Sequence, residues 1–375
     1  MPLKLSTFIL CFRLAFAESM SPRRRKVVWS LLFLIPTLIL FDMLCLALDQ
    51  VLFPGYRRVK VRAPVFAIGH ARSGTTLTHQ LLTKDERFVW SMTYELFLPA
   101  IVQRKFVRFV AELDRRHFGR ALARRVEAWE DKTFAKGRNM HPMSLTGPEE
   151  DEFVLCKTGL SGTLLLLFPY FAQLGPLSRL DEQTPAERAR VMDYYRQALQ
   201  RQLYLDGPEA TYLCKNPGYC TRVESLIEAF PDARFIVNLR HPYKPIPSLM
   251  KMMVRNWTAA GQEREQMEES LELLKRNSLD SYLHPFEVLD QHPEIRWAVL
   301  DYEKLVESPK QALQGVYKDL GIPSTPAFEQ ALDEEEQRSA EHRADHIYSL
   351  DEFGITHREI QTELAPLFER FGWQR

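Results

Sequence analysis

The sequence predicts an α/β protein, in which a single domain has a central parallel β-sheet flanked by helices, plus an N-terminal membrane-associated helix. Three observations lead to this prediction. Short apolar runs typical of buried strands recur at Val65–Ile68, 211–214, 235–239 and 297–300. Helical patterns lie between these runs, an order that favours parallel strands. A 22-residue apolar segment, residues 27–48, precedes them all.

The apolar segment at residues 27–48 divides the chain. It carries one charge, Asp42, and is long enough to cross a hydrocarbon core about 30 Å thick. We therefore expect four parts: a basic and apolar segment at 1–26, a membrane anchor at 27–48, a basic linker at 49–63 and the main domain at 64–375. The main domain starts about fifteen residues after the anchor, so a membrane-borne substrate is within its reach.

Other interpretations of the anchor stay open. Pro36 and Asp42 also suit a kinked, re-entrant or interfacial segment, and a buried helix of the main domain is a further alternative. A cleaved signal peptide fits less well, because the apolar run is long and no small-x-small site follows it. Basic residues lie on both sides of the segment, so they do not settle its orientation.

The first strand leads into a turn suited to an anion. Gly69 and Gly74 permit positive φ, and the helix that follows directs its first N–H groups and its partial positive charge at the turn. The Gly69-x-x-x-x-Gly74 spacing is P-loop-like, but Thr75 stands where a nucleoside-triphosphate loop needs lysine. The basic residue is Arg72, whose planar fork suits a phosphate or sulfate.

A second stretch pairs with this turn. The apolar run 235–239 ends in Arg240, and a hydroxyl follows at Ser248. Together the stretches resemble the sulfotransferase family that uses 3′-phosphoadenosine 5′-phosphosulfate (PAPS). The resemblance extends through Leu213-Cys-Lys-Asn-Pro217, through Tyr302-Glu-Lys-Leu-Val306 with Pro309, and through Tyr348-Ser-Leu-Asp-Glu-Phe-Gly354, so that it covers about residues 64–373. One departure is Ala71, where many relatives carry proline.

The resemblance implies a set of donor-binding residues and no metal. The 5′-phosphosulfate would be held by the loop residues Gly69, Arg72, Ser73, Gly74, Thr75 and Thr76. The 3′-phosphate would be held by Arg240 and Ser248. Lys215, at the end of the strand 211–214, would stabilise charge on the leaving phosphate, which makes it catalytic together with Arg72. The acceptor would be a hydroxyl or amine of a lipid, a carbohydrate or another small molecule near the membrane.

Several residues are candidates for the general base. Four acids follow Pro148, and among them Glu150 is our candidate base, although a cluster in the first turn of a helix is also explained by the helix dipole. Relatives often show Lys-x-Pro-x-His where this chain has Lys215-Asn-Pro-Gly-Tyr219, and a phenol of pKa near 10 is a poor base. The other candidates are His70, His79 and His241.

Several further stretches predict helices and a loop. Residues 103–138 form a basic amphipathic pattern, suited to anionic lipid, to attraction of an anionic nucleotide or to a solvated helix surface. Thr184, Pro185 and Glu187 predict a helix start. A charged helix is expected at 263–276 and a final one after Thr356. Residues 334–346 are polar and predict a mobile loop, in which Arg343 is a candidate phosphate contact.

Charge and cysteine content narrow the partners and the compartment. Lys+Arg and Asp+Glu are equal at 49 each, which argues against a nucleic-acid partner. Five cysteines without metal spacing favour a reducing compartment, so we expect a cytoplasm-facing domain, with the Golgi lumen as the alternative. A phosphotransferase and a non-catalytic adenosine-bisphosphate-binding module are the competing functions. The sequence indicates neither the acceptor nor the oligomeric state.

Overall fold

The computed structural model describes residues 3–18, 20–134, 144–339 and 351–373. Within them lies a five-stranded sheet in the order β2-β3-β1-β4-β5, with every neighbouring pair parallel. Its strands are β1 Val65–Ile68, β2 Phe88–Val89, β3 Thr211–Lys215, β4 Arg234–Leu239 and β5 Arg296–Asp301. The α/β class, the parallel sheet and the four predicted strands are confirmed, and β2 is an addition.

Helices pack on both faces of the sheet and at its edges. They are α1 Leu5–Ala17, α2 Pro22–Leu52, α3 Thr75–Leu82, α4 Thr93–Phe97, α5 Ile101–His117, α6 Ala121–Phe134, α7 Glu152–Leu155, α8 Phe171–Ser178, α9 Pro185–Asp206, α10 Val223–Ala229, α11 Pro245–Ala259, α12 Glu268–Leu289, α13 Tyr302–Glu307, α14 Pro309–Leu320, α15 Pro326–Ser339, α16 His357–Glu363 and α17 Ala365–Phe371. Short 3₁₀ turns connect several of them, including Pro54–Arg58 and Pro217–Thr221.

The central strand β1 divides the core into two clusters. Successive side chains of a strand point to opposite faces, so Phe66 and Ile68 join one cluster while Val65 and Ala67 join the other. All four residues are fully buried. Because β3 and β4 flank β1 on its two sides, the turn after β1 lies where the strand order reverses. Open α/β sheets bind ligands at that position.

The N-terminal helices belong to the same core. Phe8 and Phe12 of α1, together with Val28 and Leu46 of α2, are buried in the cluster that contains Phe66. Helix α2 begins at Pro22, ahead of the predicted start at residue 27, because Ser21 caps it: its Oγ accepts from Arg24 N at 3.2 Å. The functional division of the chain into four parts stays a prediction.

Three local predictions need correction. The predicted polar loop is wrong at Glu334 to Glu336, which are helical within α15. The basic amphipathic stretch forms two helices, α5 and α6, because Gly119 and Arg120 take positive φ between them. The charged helix begins at Glu268 and extends to Leu289. Residues 135–143, Arg343 and Tyr348 lie outside the described residues.

Candidate functional site

The turn between β1 and α3 is shaped by two glycines. Gly69 has φ 138°, and a Cβ there would meet the carbonyl oxygen of Asn238 at 2.3 Å. Gly74 has φ 86°, and its Cβ would meet Cδ2 of Tyr302 at 2.4 Å. Neither position therefore accepts a side chain. Gly74 directly precedes α3, whose first N–H groups have no partner within the helix and are available to an anion.

Arg72 joins this turn to the second predicted stretch. Its backbone is left-handed, with φ 73°, a conformation that costs free energy for a residue with a side chain. Its Nε donates to Ser248 Oγ at 3.2 Å, and its carbonyl accepts from Arg240 Nη1 at 3.3 Å. The structure thus brings Arg72, Arg240 and Ser248 together, although they are far apart in the sequence.

Arg240 is held in place by aromatic residues. Its guanidinium carbon lies 3.9 Å from the ring centroid of Tyr302, and its carbonyl accepts from the Tyr282 hydroxyl at 3.0 Å. The Tyr302 ring also packs against Gly74. The sequence did not predict a chemical role for Tyr302. Here its ring packs on both the guanidinium of Arg240 and the turn at Gly74, and arginine favours such stacking.

Asn238 is a site residue that sequence reasoning missed. Its Nδ2 donates to the carbonyl of Ile68 at 2.9 Å, and its Oδ1 accepts from the Thr78 hydroxyl. One buried amide therefore links β4, the end of β1 and α3. A polar residue inside the otherwise apolar run 235–239 was the available signal, since a buried amide needs partners.

Lys215 and Glu150 form an ion pair beside the turn. Lys215 ends β3 and is in register with Ala67 of β1, two residues before Gly69. Its Nζ donates to Glu150 Oε1 at 2.6 Å. The lysine side chain is 2% exposed and the glutamate side chain 27%. The carboxylate is therefore the solvent-facing member of the pair, where a second reactant can approach it.

The next two acids, Asp151 and Glu152, form buried hydrogen bonds with other parts of the domain. Asp151 accepts from the hydroxyls of Tyr195 and Tyr212, and burial raises its pKa to about 6 despite these hydrogen bonds. Glu152 forms a two-point pair with Arg222 at 2.9 and 3.0 Å. Burial opposes ionisation of Glu152, but the guanidinium and its hydrogen bonds outweigh that cost, so its pKa is lowered. Asp151 and Glu152 thus pair with scaffold residues, whereas Glu150 pairs with Lys215.

The other base candidates are poorly placed. Tyr219 is fully buried against Phe66 and Tyr195, and burial raises its pKa well above 10. Burial lowers the pKa of His70 to about 4. It also lowers that of His79 to about 3, with a further contribution from the charge of Lys215.

His241 is half-buried. Burial, together with the charges of His357 and Lys244, lowers its pKa. It packs against the rings of Tyr243 and Trp373. These environments make Glu150 the better candidate base.

The residues present fit an anionic donor with two separate phosphate positions. Arg72 and the N-terminus of α3 offer one position, and Arg240 with Ser248 offers another. The two glycines let a ligand approach the backbone closely. Within the described ranges, no three His, Cys, Asp or Glu side chains are grouped as metal ligands. The metal-free reaction stays a prediction.

Sequence comparisons identify related proteins. A profile described as the sulfotransferase family matches residues 64–326. Omega-hydroxy-beta-dihydromenaquinone-9 sulfotransferase Stf3 from Mycobacterium tuberculosis is 30% identical over 346 residues, which cover 88% of this chain and 81% of that protein. The protein of the same name from Mycobacterium bovis matches equally well.

Structural comparisons show the same fold. The crystal structure of sulfotransferase STF9 from Mycobacterium avium aligns with a TM-score of 0.72 at 20% identity, and the match covers 100% of this chain and 98% of that one. Sulfotransferase STF1 from Mycobacterium tuberculosis aligns with a TM-score of 0.68 at 18% identity, covering 95% and 90%. The first match extends over the whole of this chain, and the residues of α1 and α2 lie within it.

Proposed function

The chain belongs to the sulfotransferase family, and from this premise we propose that it transfers a sulfuryl group from PAPS to a hydroxyl, or an amine, of a membrane-proximal acceptor. The choice of PAPS as donor rests on one observation: the turn after β1 brings Arg72, Arg240 and Ser248 into contact. These residues supply two cationic groups and a hydroxyl beside a helix N-terminus, which suits a nucleotide with separate phosphate groups.

Each part of the proposed donor site has a distinct task. The N–H groups of residues 72–76 and the Arg72 guanidinium would bind the phosphosulfate. Arg240, which Tyr302 stacks against, and Ser248 would bind the 3′-phosphate. The left-handed conformation of Arg72 is the strained point of the turn, and backbone strain is often retained where a ligand-binding geometry requires it.

The ion pair of Lys215 and Glu150 would perform the chemistry. Bound PAPS supplies an activated sulfuryl group whose leaving group is a phosphate. Glu150 would accept the proton of the acceptor hydroxyl. At the same time the hydroxyl oxygen would form a bond to sulfur, and the bond between sulfur and the phosphate oxygen would break. Lys215 would stabilise the negative charge that then develops on the phosphate. Their 2.6 Å separation would keep both groups at the proposed reacting centre.

A hydroxylated lipid is the acceptor class that we favour. The Stf3 proteins, of which this chain covers 81%, are named for an omega-hydroxylated dihydromenaquinone. The long apolar helix α2 is consistent with a membrane-associated enzyme that meets such an acceptor. The five cysteines are free, which favours a cytoplasm-facing domain, and the Golgi lumen is the alternative. Carbohydrate acceptors remain a second class to be assayed.

The two competing functions are supported less well than sulfuryl transfer. Membership in the sulfotransferase family leaves the phosphotransferase without support, and Thr75 stands where its loop would need lysine. A non-catalytic module that binds adenosine bisphosphate would use Arg72, Arg240 and Ser248 in the same way. It would have no need for the solvent-facing carboxylate of Glu150 beside Lys215.

The test measures sulfate transfer from labelled PAPS by the full-length chain in detergent, with a hydroxylated prenylquinone and a carbohydrate as acceptors. Glu150→Gln removes the proton acceptor but keeps the shape, so kcat should fall about 10²- to 10⁴-fold while adenosine 3′,5′-bisphosphate still binds. Glu334→Gln, on the exposed face of α15, is the matched control and should be unchanged. A Glu150→Gln enzyme of normal rate would exclude this base, and PAPS binding without transfer would favour the non-catalytic module.

A further inference from the structure

Both ends of helix α2 are docked on the same domain. At its start, Arg24 Nη1 donates to the carbonyl of Leu167 at 2.8 Å, and Ser21 Oγ donates to that of Gly261 at 3.1 Å. At its end, Asp49 pairs with Arg201 Nε at 2.9 Å. Arg24 and Asp49 are 25 residues apart, which in a helix is about 37 Å. A helix that crosses a bilayer must place its ends on opposite sides, and these contacts keep both ends on one side.

The middle of α2 is fixed as well. Asp42 is buried and accepts hydrogen bonds from Gln103 Nε2, at 2.8 Å, and from Lys157 Nζ. The pair of Asp42 and Lys157 is 1% and 7% exposed, so both charges are compensated inside the protein. Separating them would leave a buried charge without its partner, which is strongly unfavourable. Helix α2 therefore lies along the domain over its whole length.

The outward side of α2 belongs to a wider apolar surface. All exposed large hydrophobic side chains of the described residues lie in α1, α2, α5, α6 or the turn between the last two. We call this set the N-terminal apolar face; its members are Leu5, Ile9, Phe16, Trp29, Phe33, Leu34, Leu40, Phe41, Met43, Leu44, Leu48, Val51, Leu52, Phe106, Phe109, Leu113, Phe118, Leu122, Val126 and Trp129.

Contacts between the helices hold this face together. The rings of Phe16 and Trp29 are 5.4 Å apart and join α1 to α2. Asp49 accepts from the N–H groups of Ile101 and Val102 at 2.8 and 3.0 Å, which joins α2 to the start of α5. The face is thus made of helices packed on one another. Surface patches of this extent on a soluble monomer mark an interaction site.

The basic residues around the N-terminal apolar face indicate which partner it binds. The described part of α5 and α6, residues 101–134, carries nine Lys/Arg and five Asp/Glu, a net charge of +4. Arg23, Arg25 and Lys26 are exposed at the start of α2, and Arg57 and Arg58 follow its end. A second copy meeting this face across a two-fold axis would bring like charges together. An anionic bilayer instead receives the apolar side chains and attracts the surrounding cations.

We propose that the N-terminal apolar face rests on an anionic lipid bilayer, with α2 lying in the membrane plane, so that the protein is monotopic. The segment that carries Glu150 continues to Lys157, which contacts α2 through Asp42. The candidate base Glu150 therefore lies seven positions along the chain from the lysine that pairs with α2. This attachment is independent of the donor, so its test does not depend on the proposed reaction.

The first experiment measures flotation of the full-length protein with vesicles of phosphatidylcholine, alone and mixed with phosphatidylglycerol. Phe33→Glu with Phe41→Glu on α2, and separately Phe106→Glu with Phe109→Glu on α5, should each reduce binding about tenfold or more. Ala327→Glu with Gln330→Glu, on the exposed side of α15, adds the same charge elsewhere and should have no effect. Urea unfolding, compared with that of the wild type, shows that each variant is folded.

The second experiment locates the two ends of α2. Arg23→Cys and Arg58→Cys are introduced singly into the full-length chain, bound to sealed vesicles and treated with a membrane-impermeant maleimide. Lys318→Cys on α14 reports the side of the main domain. All three should be modified from the same side. Modification of the two ends from opposite sides would overturn the in-plane arrangement, and unchanged flotation of both apolar variants would overturn the membrane surface in favour of a contact between copies.

Discussion

Gly74 shows how a single residue controls the candidate site. Its positive φ and its contact with the Tyr302 ring exclude a side chain, and the same ring stacks on Arg240. A change at this glycine therefore disturbs both proposed phosphate positions. The sequence predicted Gly74, Arg72 and Arg240 as donor-binding residues. The role of Tyr302 was not predicted, because it depends on contacts between strand ends that the sequence does not encode locally.

Gly74→Ala should weaken adenosine 3′,5′-bisphosphate binding and lower the free energy of unfolding by about 1–3 kcal/mol, because the new Cβ collides with Tyr302 in a left-handed backbone. Binding calorimetry and urea unfolding measure the two effects. Gly315→Ala in α14 is the matched control: its Cβ would meet nothing within 4 Å, and alanine favours a helix. Equal behaviour of the two variants would contradict the role of Gly74.

At the scale of elements, buried charges connect helices that are distant in sequence. Asp49 caps α5 through two N–H groups and pairs with Arg201, while Asp42 pairs with Lys157. The sequence predicted a long apolar helix, since its composition is unmistakable. It did not show that one side of this helix is bound to the domain, because the partners of Asp42 and Asp49 come from other parts of the chain.

Asp49→Ala should lower the free energy of unfolding by about 3–5 kcal/mol, since it leaves Arg201 buried without its partner and uncaps α5. Asp290→Ala removes the partner of Arg370 at the surface and should cost no more than about 1 kcal/mol. Denaturant unfolding of the full-length protein compares the two variants. A loss of the same size in both would show that the buried pair contributes no more than the exposed one.

Helix α3 should make stability depend on pH. Burial lowers the pKa of His79 to about 3, so below pH 6.5 the unfolded chain binds a proton that the folded one does not. Stability should therefore fall as pH falls from about 6.5 towards 3. Asp151 acts with the opposite sign, because its raised pKa lets the folded state bind a proton first.

The contribution of His79 is isolated by subtraction. Urea unfolding of wild type and His79→Gln is compared between about pH 7.5 and 5, and the difference in unfolding free energy should change by up to about 1.4 kcal/mol per pH unit below pH 6.5. His292→Gln serves as a surface control, because the pKa of His292 is raised by Glu294 and Glu224 and its pH dependence has the opposite sign. Parallel curves for wild type and His79→Gln would contradict the assignment.

At the scale of the whole molecule, the sheet was predictable and its surroundings less so. The strands around 65, 211, 235 and 297 are short, apolar and bounded by polar residues, so their pattern is unambiguous. Strand β2 was not predicted, because a strand of two residues is too short to show an alternation of apolar and polar side chains. Glu334 to Glu336 were predicted as a loop for their polarity, but glutamate also favours helices, and Phe328 and Leu332 bury the inner side of α15.

Calorimetric binding of adenosine 3′,5′-bisphosphate to the full-length protein without metal is the decisive test of the proposed donor site. It compares wild type with Arg240→Ala, Arg240→Lys and the surface control Lys318→Ala. Because Arg240 lies beside Arg72 and Ser248, its loss should weaken binding about 10- to 100-fold, with lysine restoring only part of the affinity. Lys318→Ala should bind as wild type does. Absence of binding to wild type, or equal affinity of Arg240→Ala, would contradict the proposed donor site.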